Sequence, residues 1–270
     1  MTTNVGPTRI DRIEGDAMLV NSYLVHGPDG LIVVDGQLTV PDADKVRRAI
    51  DATGRPVAGM LVTHPHPDHY AGAARMLGGL DAPMIATPAV DAVIRRDDAE
   101  KDTIVGPMMG TAWPDERRFP DVLVEPGTSI SLGGLELTAR DLGPGESHSD
   151  TLWLLDELTV IAGDVAYNDM HAYLADGEYD GWLHTLRLLD KEMPDDVVLY
   201  VGHGEPAGRE LIAAQRVYVE EFVAAVSAAA GLDPDARRAA VTAQMRRLLP
   251  NDRLQFLMEL SIEPVRAGLS

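Results

Sequence analysis

The 270-residue sequence contains no cysteine, so it can form no disulfide bond and can offer no thiolate to a metal ion. Any bound metal must therefore be held by nitrogen and oxygen ligands. The sequence also lacks an uninterrupted apolar run of about 18 residues that could span a bilayer. Its first residues, MTTNVGPTRI, have neither the basic nor the apolar region of a secretory signal. We therefore expect a cytoplasmic protein with no membrane partner.

Positive charge is scarce in this chain. The 23 Lys and Arg residues stand against 43 Asp and Glu residues, which gives a formal net charge of −20 at pH 7. Such a surface repels polyphosphates and no basic run interrupts it, so we expect no nucleic-acid partner. Hydrophobic residues make up 45% of the chain, which is enough for one large core and short for two independent enzymatic domains.

Apolar, strand-like runs alternate with amphipathic stretches through residues 1–205. The runs MLVNSYLVHG, LIVVDG and VAGMLVTH predict strands, and PDADKVRRAIDATG between the last two predicts a helix that ends at Gly54. A βαβ beginning of this kind is typical of α/β proteins. Residues 206–270 instead predict helices, the first with Leu211, Tyr218, Phe222 and Val226 on one stripe. We expect this C-terminal helical segment to pack on the α/β core as a structural extension.

Histidines are concentrated in the stretch THPHPDHYAG, residues 63–72. A residue before proline is pushed toward extended backbone angles, so Pro65 and Pro67 are expected to hold His64 and His66 extended. Residues two apart on an extended segment face the same side, which aims both imidazoles at one point. Proline is also a natural first-turn residue, so a helix is expected to begin near Asp68 and His69 and to aim that second pair elsewhere. The geometry indicates one ion beside each pair.

Two such half-sites are incomplete, because a zinc-like ion takes about four ligands. Three later segments place a ligand-type residue just after a predicted strand: His148 in GPGESHSDTLWLL, Asp164 in VIAGDVAYN and His203 in LYVGHGEP. Glycines next to these residues permit close backbone approach. The pattern is typical of one sheet edge that converges on a site.

These segments resemble the metallo-β-lactamase superfamily, whose pattern is H-x-H-x-D-H followed by a later His, an Asp and a final His. The resemblance covers residues 15–205. It implies a four-layer αββα sandwich over residues 1–205, with residues 206–270 as a C-terminal helical extension. It also implies two divalent ions, by default zinc, with iron(II) or manganese as alternatives. The implied ligands are His64, His66 and His148 on one ion, Asp68, His69 and His203 on the second, and Asp164 between them.

A dinuclear site of this kind implies hydrolysis of a small molecule. Two ions that share a water lower its pKa toward neutrality, and the resulting bridging hydroxide attacks a lactone, ester or thioester carbonyl. We expect Asp68 to orient the nucleophile as well as to bind metal. Cleavage of a β-lactam-type amide is an alternative. From other classes, a non-heme iron oxidoreductase and a non-catalytic metal-binding protein also stay open, although His66 stands where flavodiiron members of the family use an acidic residue.

Three further features have both a functional and a structural interpretation. Tyr167 follows Asp164 by three residues, a spacing similar to that of some lactonases in the family, and could donate a hydrogen bond to the carbonyl or the leaving group. A buried structural tyrosine fits equally well. His171 either lines the site or packs in the core. The segment GPMMGTAWPDERRFP is either an apolar substrate lid or an ordinary packed loop.

Overall fold

The computed structural model describes residues 8–269, and its strands and helices alternate as the sequence predicts. The strands are β1 (Ile10–Glu14), β2 (Asn21–His26), β3 (Leu31–Val34), β4 (Val57–Leu61), β5 (Met84–Ala86), β6 (Val122–Leu123), β7 (Ser129–Leu132), β8 (Leu135–Gly143), β9 (Asp150–Leu154), β10 (Thr159–Gly163) and β11 (Val198–Val201). The helices are α1 (Val40–Thr53), α2 (Ala73–Leu77), α3 (Pro88–Ile104), α4 (Gly106–Met109), α5 (Tyr179–Glu192), α6 (Glu210–Ala228), α7 (Pro234–Leu248) and α8 (Gln255–Gly268), with short 3₁₀ turns at Pro67–His69 and Gly110–Ala112. Among the described residues the strands form two mixed sheets, one of six strands and one of five.

The chain divides into two compact units. The first contains the described residues up to Asp141 together with Thr151–Asp156. The second contains Leu142–Asp150 and the described residues from Glu157 onward. The ligand-type residues of the histidine motif, from His64 to His69, lie in the first unit, whereas His148, Asp164 and His203 lie in the second.

The first unit is built on the six-stranded sheet, whose strands follow chain order from β1 to β6. Strands β1 to β3 pair antiparallel, and β3 to β6 pair parallel. In the β3–β4 ladder Val34 lies opposite Leu61. Parallel strands end at the same edge of a sheet, so this register brings Asp35, just after β3, beside Thr63, just after β4.

Helix α1 shows why the sequence folds locally as predicted. The Thr39 side chain accepts a hydrogen bond from the Asp42 backbone N–H at its N-terminus, and Pro41 occupies the first turn. Gly54 ends the helix in the left-handed region, at φ 63°, where a side chain would be strained. The apolar face of α1 packs with α2 and β3–β5 into one buried cluster that includes Val46, Ile50 and Met76. Tyr70, which directly follows His69, belongs to the same close-packed cluster, so the histidine motif is joined to this core.

The second unit holds the parallel pair β10–β11 and the C-terminal helices. Val160 lies opposite Leu199, and the register shifts between Ile161 and Gly163. The two strands again end together, so Asp164 and the Gly202–His203 turn follow at the same edge. Helix α6 packs against α5, α7 and α8. Its buried residues include the whole stripe predicted from the sequence: Leu211, Tyr218, Phe222 and Val226.

The structure differs from the predicted elements in a few places. The VLVEP run gives only the two-residue strand β6, and the helix predicted from AGAARMLGGL is confined to Ala73–Leu77. Strands β1 and β7 had no prediction: β1 is half-buried along its whole length and has no regular apolar alternation, and β7 alternates but is only four residues long. Within residues 8–269, no helix is both long enough and apolar enough to cross a bilayer.

Candidate metal centre

In the first unit, the backbone of the histidine motif agrees with the prediction at His66, whereas the helix expected to begin near Asp68 and His69 is only a short turn, and helix α2 begins at Ala73. His66 is extended, at φ −71° and ψ 143°, and a 3₁₀ turn covers Pro67–His69. The ring of His64 lies 4.9 Å from the ring of His66 and 4.0 Å from that of His69, measured between centroids. His69 Nε2 lies 3.8 Å from Asp68 Oδ2. All four side chains are buried, so they form one compact cluster of potential ligands within this unit.

Asp35 is a residue of this cluster that the motif does not identify. It is buried, and its Oδ1 accepts the Thr63 backbone N–H at 2.8 Å. Its Oδ2 lies 2.8 Å from Thr63 Oγ1 and 2.9 Å from His69 Nδ1. Thr63 Oγ1 in turn lies 3.0 Å from His64 Nδ1. One carboxylate therefore orients two imidazoles, His69 directly and His64 through a hydroxyl.

This network decides which nitrogen of each ring can bind a metal. A carboxylate oxygen only accepts, so His69 must donate its Nδ1–H to Asp35. The Thr63 hydroxyl donates to Asp35 as well, so it accepts the Nδ1–H of His64. Both imidazoles then carry a lone pair on Nε2, which is the form that a metal ion requires. The residues present therefore fit a divalent cation.

A left-handed residue and a glycine bring Asp35 this close to the histidines. Asp35 itself has φ 57°, a conformation that Asp tolerates better than most residues. Gly36 donates its N–H to the His69 carbonyl at 2.6 Å, and a Cβ on it would lie 3.1 Å from Tyr70 Cα. A side chain at this position would push the two turns apart. The letters DG after the buried run LIVV are the sequence signal for this arrangement.

In the second unit, Asp164 and His203 lie side by side at the ends of β10 and β11. His203 Nε2 is 3.2 Å from Asp164 Oδ2, and both side chains are at most 2% exposed. Gly202 donates to the Gly163 carbonyl at 2.8 Å, and Asn168 donates its backbone N–H to the His203 carbonyl at 3.0 Å. These bonds fix both turns, so the two ligand-type groups are held in place before any ion arrives.

Tyr167 connects this pair to Glu146, another residue that the motif does not include. The Tyr167 ring stacks on the His203 ring at 5.0 Å between centroids and 4° between planes. Its hydroxyl donates to Glu146 Oε1 at 2.7 Å. Burial, followed by the charges of Asp164 and Glu146, raises the pKa of Tyr167 well above its ordinary value. Tyr167 is therefore a hydrogen-bond donor at neutral pH.

His148 lies apart from this group within the second unit. Its Nδ1 is 3.1 Å from Glu178 Oε1 and its Nε2 is 4.0 Å from Asp176 Oδ2. Its side chain is 35% exposed, in contrast to the burial of Asp164 and His203. The seven ligands implied by the family pattern thus include six buried side chains and one, His148, that is partly exposed and faces the carboxylates of Asp176 and Glu178.

Of the two roles considered for His171, the structure supports packing in the core. It is fully buried, with its Nε2 3.1 Å from the Asn251 carbonyl and its Nδ1 2.9 Å from the Tyr218 hydroxyl. A carbonyl only accepts, so Nε2 carries the proton and Nδ1 accepts from Tyr218. Burial lowers the pKa of His171 and outweighs the hydrogen bond to the Asn251 carbonyl, which acts in the opposite direction. The neutral ring joins the α6–α8 helices to the rest of its unit.

This arrangement predicts how the stability of the protein depends on pH. The folded-state pKa of His171 is depressed, so its contribution is full above the unfolded value of about 6.5 and is lost as the pH falls through the folded value. We expect the free energy of unfolding of His171→Gln to fall less between pH 7.5 and pH 5 than that of the parent. Denaturant unfolding at both pH values measures this, with exposed His184→Gln as the control. An equal fall in the parent and His171→Gln would contradict the assignment.

The segment between α3 and β6 is held by its own contacts. Trp113 Nε1 donates to Asp102 Oδ1 at 2.6 Å, and the Arg117 guanidinium lies 4.2 Å from the Trp113 ring centroid. Arg117 also binds Asp98, which accepts the Tyr70 hydroxyl at 2.9 Å. The segment is therefore joined through Asp98 to Tyr70, the residue after His69. Trp113 takes part in these contacts within the segment.

Comparison with known proteins identifies the family. The sequence model of the metallo-beta-lactamase superfamily matches residues 15–203. This span includes all the ligand-type residues described above, and the chain belongs to that superfamily. The resemblance inferred from the motif is confirmed.

Two curated relatives share one name. The chain is 40% identical over 162 residues to a hydroxyacylglutathione hydrolase of Methylobacterium nodulans, a match that covers 56% of this chain and 62% of the relative. It is 26% identical over 183 residues to a protein of the same name from Rhodopseudomonas palustris strain HaA2, covering 67% of this chain and 61% of the relative. The chain thus spans about three-fifths of the length of these curated relatives.

A solved structure confirms the fold class. A metallo-beta-lactamase family protein from Thermus thermophilus superimposes with a TM-score of 0.70, over 97% of this chain and 92% of that protein. The two are 18% identical, so the similarity concerns the fold alone. The predicted α/β class, of the metallo-β-lactamase type with C-terminal helices, is correct.

Proposed function

We propose that the protein is a metal-dependent hydrolase that cleaves a carbonyl bond in a small molecule, with a thioester as the favoured substrate over an ester or a lactone. The observation that carries this proposal is the hydrogen-bond network of Asp35. It fixes His64 and His69 as Nδ1–H tautomers and so prepares both Nε2 atoms for a cation. The name shared by the two relatives, hydroxyacylglutathione hydrolase, supports thioester chemistry.

The proposed ligands follow the family pattern residue by residue. They are His64, His66, Asp68, His69, Asp164 and His203, together with one residue from the segment Leu142–Asp150, where the pattern names His148. The donor set is nitrogen and oxygen only, because the chain has no cysteine. Such a set accepts zinc, iron(II) or manganese, and zinc is the first candidate.

Two divalent ions held by this set would supply an acidified water and a Lewis acid for the substrate carbonyl. Protein side chains orient the water, hold the imidazole protons and donate to the substrate. The Asp68 carboxylate accepts a hydrogen bond from the attacking water and orients it. Asp35 holds the protons of His64 and His69 at their Nδ1 atoms. Tyr167 keeps its phenolic proton and can pass its hydrogen bond from Glu146 to the substrate carbonyl or leaving group.

The charge of the protein favours a substrate without a carboxylate-rich leaving group. The net charge is −20, and several arginines beyond Pro206 are engaged in ion pairs with acidic side chains. These arginines are Arg209, Arg216, Arg237, Arg253 and Arg266. Glutathione carries two carboxylates, which such a surface does not attract. We therefore expect a thioester of a neutral thiol to be hydrolysed at least as well as a thioester of glutathione.

A substrate screen of the metal-loaded protein tests this function. Its substrates are a hydroxyacyl thioester of glutathione, the same acyl group on an uncharged thiol, a lactone, a β-lactam and a phosphodiester, each with and without a chelator. We expect the two thioesters to give the highest kcat/KM and the chelator to abolish turnover. Preference for the β-lactam would favour the amide hydrolase. Oxygen consumption without hydrolysis of any substrate would contradict the proposal and favour an iron oxidoreductase.

A further inference from the structure

The segment Leu142–Asp150 carries two residues that could bind metal, and they lie in different surroundings. Glu146 is 1% exposed and accepts the Tyr167 hydroxyl at 2.7 Å. His148, two residues later, has a side chain that is 35% exposed and that faces Glu178 and Asp176. Only one of the two therefore shares the buried surroundings of the other proposed ligands in its unit.

Glu146 belongs to the same contact chain as Asp164 and His203. Its hydrogen-bond partner Tyr167 stacks on the His203 ring, and His203 Nε2 lies 3.2 Å from Asp164 Oδ2. A carboxylate has two oxygens, so Glu146 can accept from Tyr167 with one and bind a cation with the other.

Asp150 fixes this orientation of the segment. Its carboxylate accepts the Glu146 backbone N–H at 2.7 Å and the Ser147 hydroxyl at 2.7 Å. A Cβ on Gly145 would lie 2.8 Å from Asp150 Oδ2, so the tight turn requires glycine there. Because the backbone is clamped on both sides of Glu146, the side chains of Glu146 and His148 cannot exchange places by a small rotation. The sequence GESHSD, residues 145–150, therefore forms a turn that fixes the direction of the Glu146 side chain.

The surroundings of His148 suit a different role. Both of its ring nitrogens face carboxylates, Nδ1 at 3.1 Å from Glu178 and Nε2 at 4.0 Å from Asp176. Glu178 directly precedes helix α5, so this contact ties the segment to the start of that helix. A partly exposed polar contact of this kind contributes little to stability, and its loss should be tolerated.

We propose that Glu146, and not His148, is the ligand that residues 142–150 give to the metal centre. The proposal rests on the proposed function, because it assigns a residue to the same centre. The ligand set then has three carboxylates, from Asp68, Asp164 and Glu146, and four imidazoles. A carboxylate in place of an imidazole makes the set harder, which raises the relative affinity for manganese and iron(II) over zinc.

Metal content of matched variants tests the proposal. Glu146→Gln and His148→Gln introduce the same amide at the two positions. After loading and dialysis, we expect elemental analysis to find about two ions per chain in the parent and in His148→Gln. We expect Glu146→Gln to lose about one ion, or to bind it about tenfold or more weakly. Melting temperatures and circular dichroism establish that each variant is folded.

A third variant, Glu146→His, decides the matter if Glu146→Gln does not fold. We expect it to bind two ions and to shift the zinc-to-manganese affinity ratio toward zinc by about tenfold or more. An unchanged ratio would overturn the proposal. Loss of an ion from His148→Gln, or full retention by Glu146→Gln, would overturn it as well while leaving the hydrolase function intact. A parent that binds no metal would instead overturn the proposed function itself.

Discussion

Replacing Asp68 with asparagine is expected to lower kcat by about a hundredfold or more while the protein stays folded. Asp68 lies in the 3₁₀ turn Pro67–His69, is 7% exposed, and has its Oδ2 3.8 Å from His69 Nε2. An amide of the same shape keeps the packing. It cannot supply the negative charge that attracts the second ion, and its NH₂ group cannot accept a hydrogen bond from the attacking water.

The measurement compares metal content, melting temperature and kcat of Asp68→Asn with those of the parent. Asp91→Asn is the matched control, since Asp91 also lies in a first helical turn of the same unit and pairs with Arg95 at 2.8 Å. We expect the control to keep its metal and its turnover. An Asp68→Asn protein that melts like the parent and retains most of its kcat would show that Asp68 is structural.

Asp35→Asn is expected to weaken metal binding by about 10- to 100-fold. The Asp35 carboxylate accepts hydrogen bonds from the Thr63 backbone N–H, the Thr63 hydroxyl and His69 Nδ1. An asparagine has an NH₂ group in place of one carboxylate oxygen, so at least one of these donors loses its acceptor. If that group faces His69, the imidazole must move its proton to Nε2, which blocks the atom proposed to bind the ion.

Thr63 provides the control for this effect. Thr63→Ser keeps the hydroxyl that joins Asp35 to His64, and we expect near-parental metal affinity. Thr63→Val removes the hydroxyl with little change of shape, and we expect an intermediate loss because only His64 is released. Competition with a chromogenic chelator measures the affinities. Equal affinity in Asp35→Asn and the parent would contradict the orienting role of Asp35.

The histidine motif was predictable because its prolines constrain the backbone before any tertiary contact forms. The extended backbone of His66 follows from Pro67, which is also the first residue of the 3₁₀ turn Pro67–His69. Asp164 and His203 were predictable as residues that follow buried strands, and the parallel β10–β11 register places them together. Helix α1 was predictable from Gly54, which ends it, whereas its N-terminal cap Thr39 was found only in the structure.

Glu146 and Asp35 could not be identified from spacing alone. Asp35 reaches the cluster through a left-handed residue and a close approach of Gly36 to Tyr70, which are consequences of tertiary packing. In the ligand set proposed above, Glu146 replaces His148, and this choice depends on the hydrogen bonds that the Asp150 side chain accepts from Glu146 and Ser147. In a segment with two ligand-type residues two positions apart, the direction of each side chain depends on such local bonds. A sequence pattern that gives only the type and spacing of the ligands does not show which of two nearby side chains points toward the site.

The most direct test of a metal-dependent hydrolase is a titration of the metal-free protein. Zinc or manganese is added in steps to the chelator-treated protein while the initial rate of thioester hydrolysis is followed. The account predicts almost no turnover without metal and a rate that rises until about two ions are bound per chain. A metal-free protein that hydrolyses the thioester at the full rate, or a rate that does not respond to added metal, would contradict it.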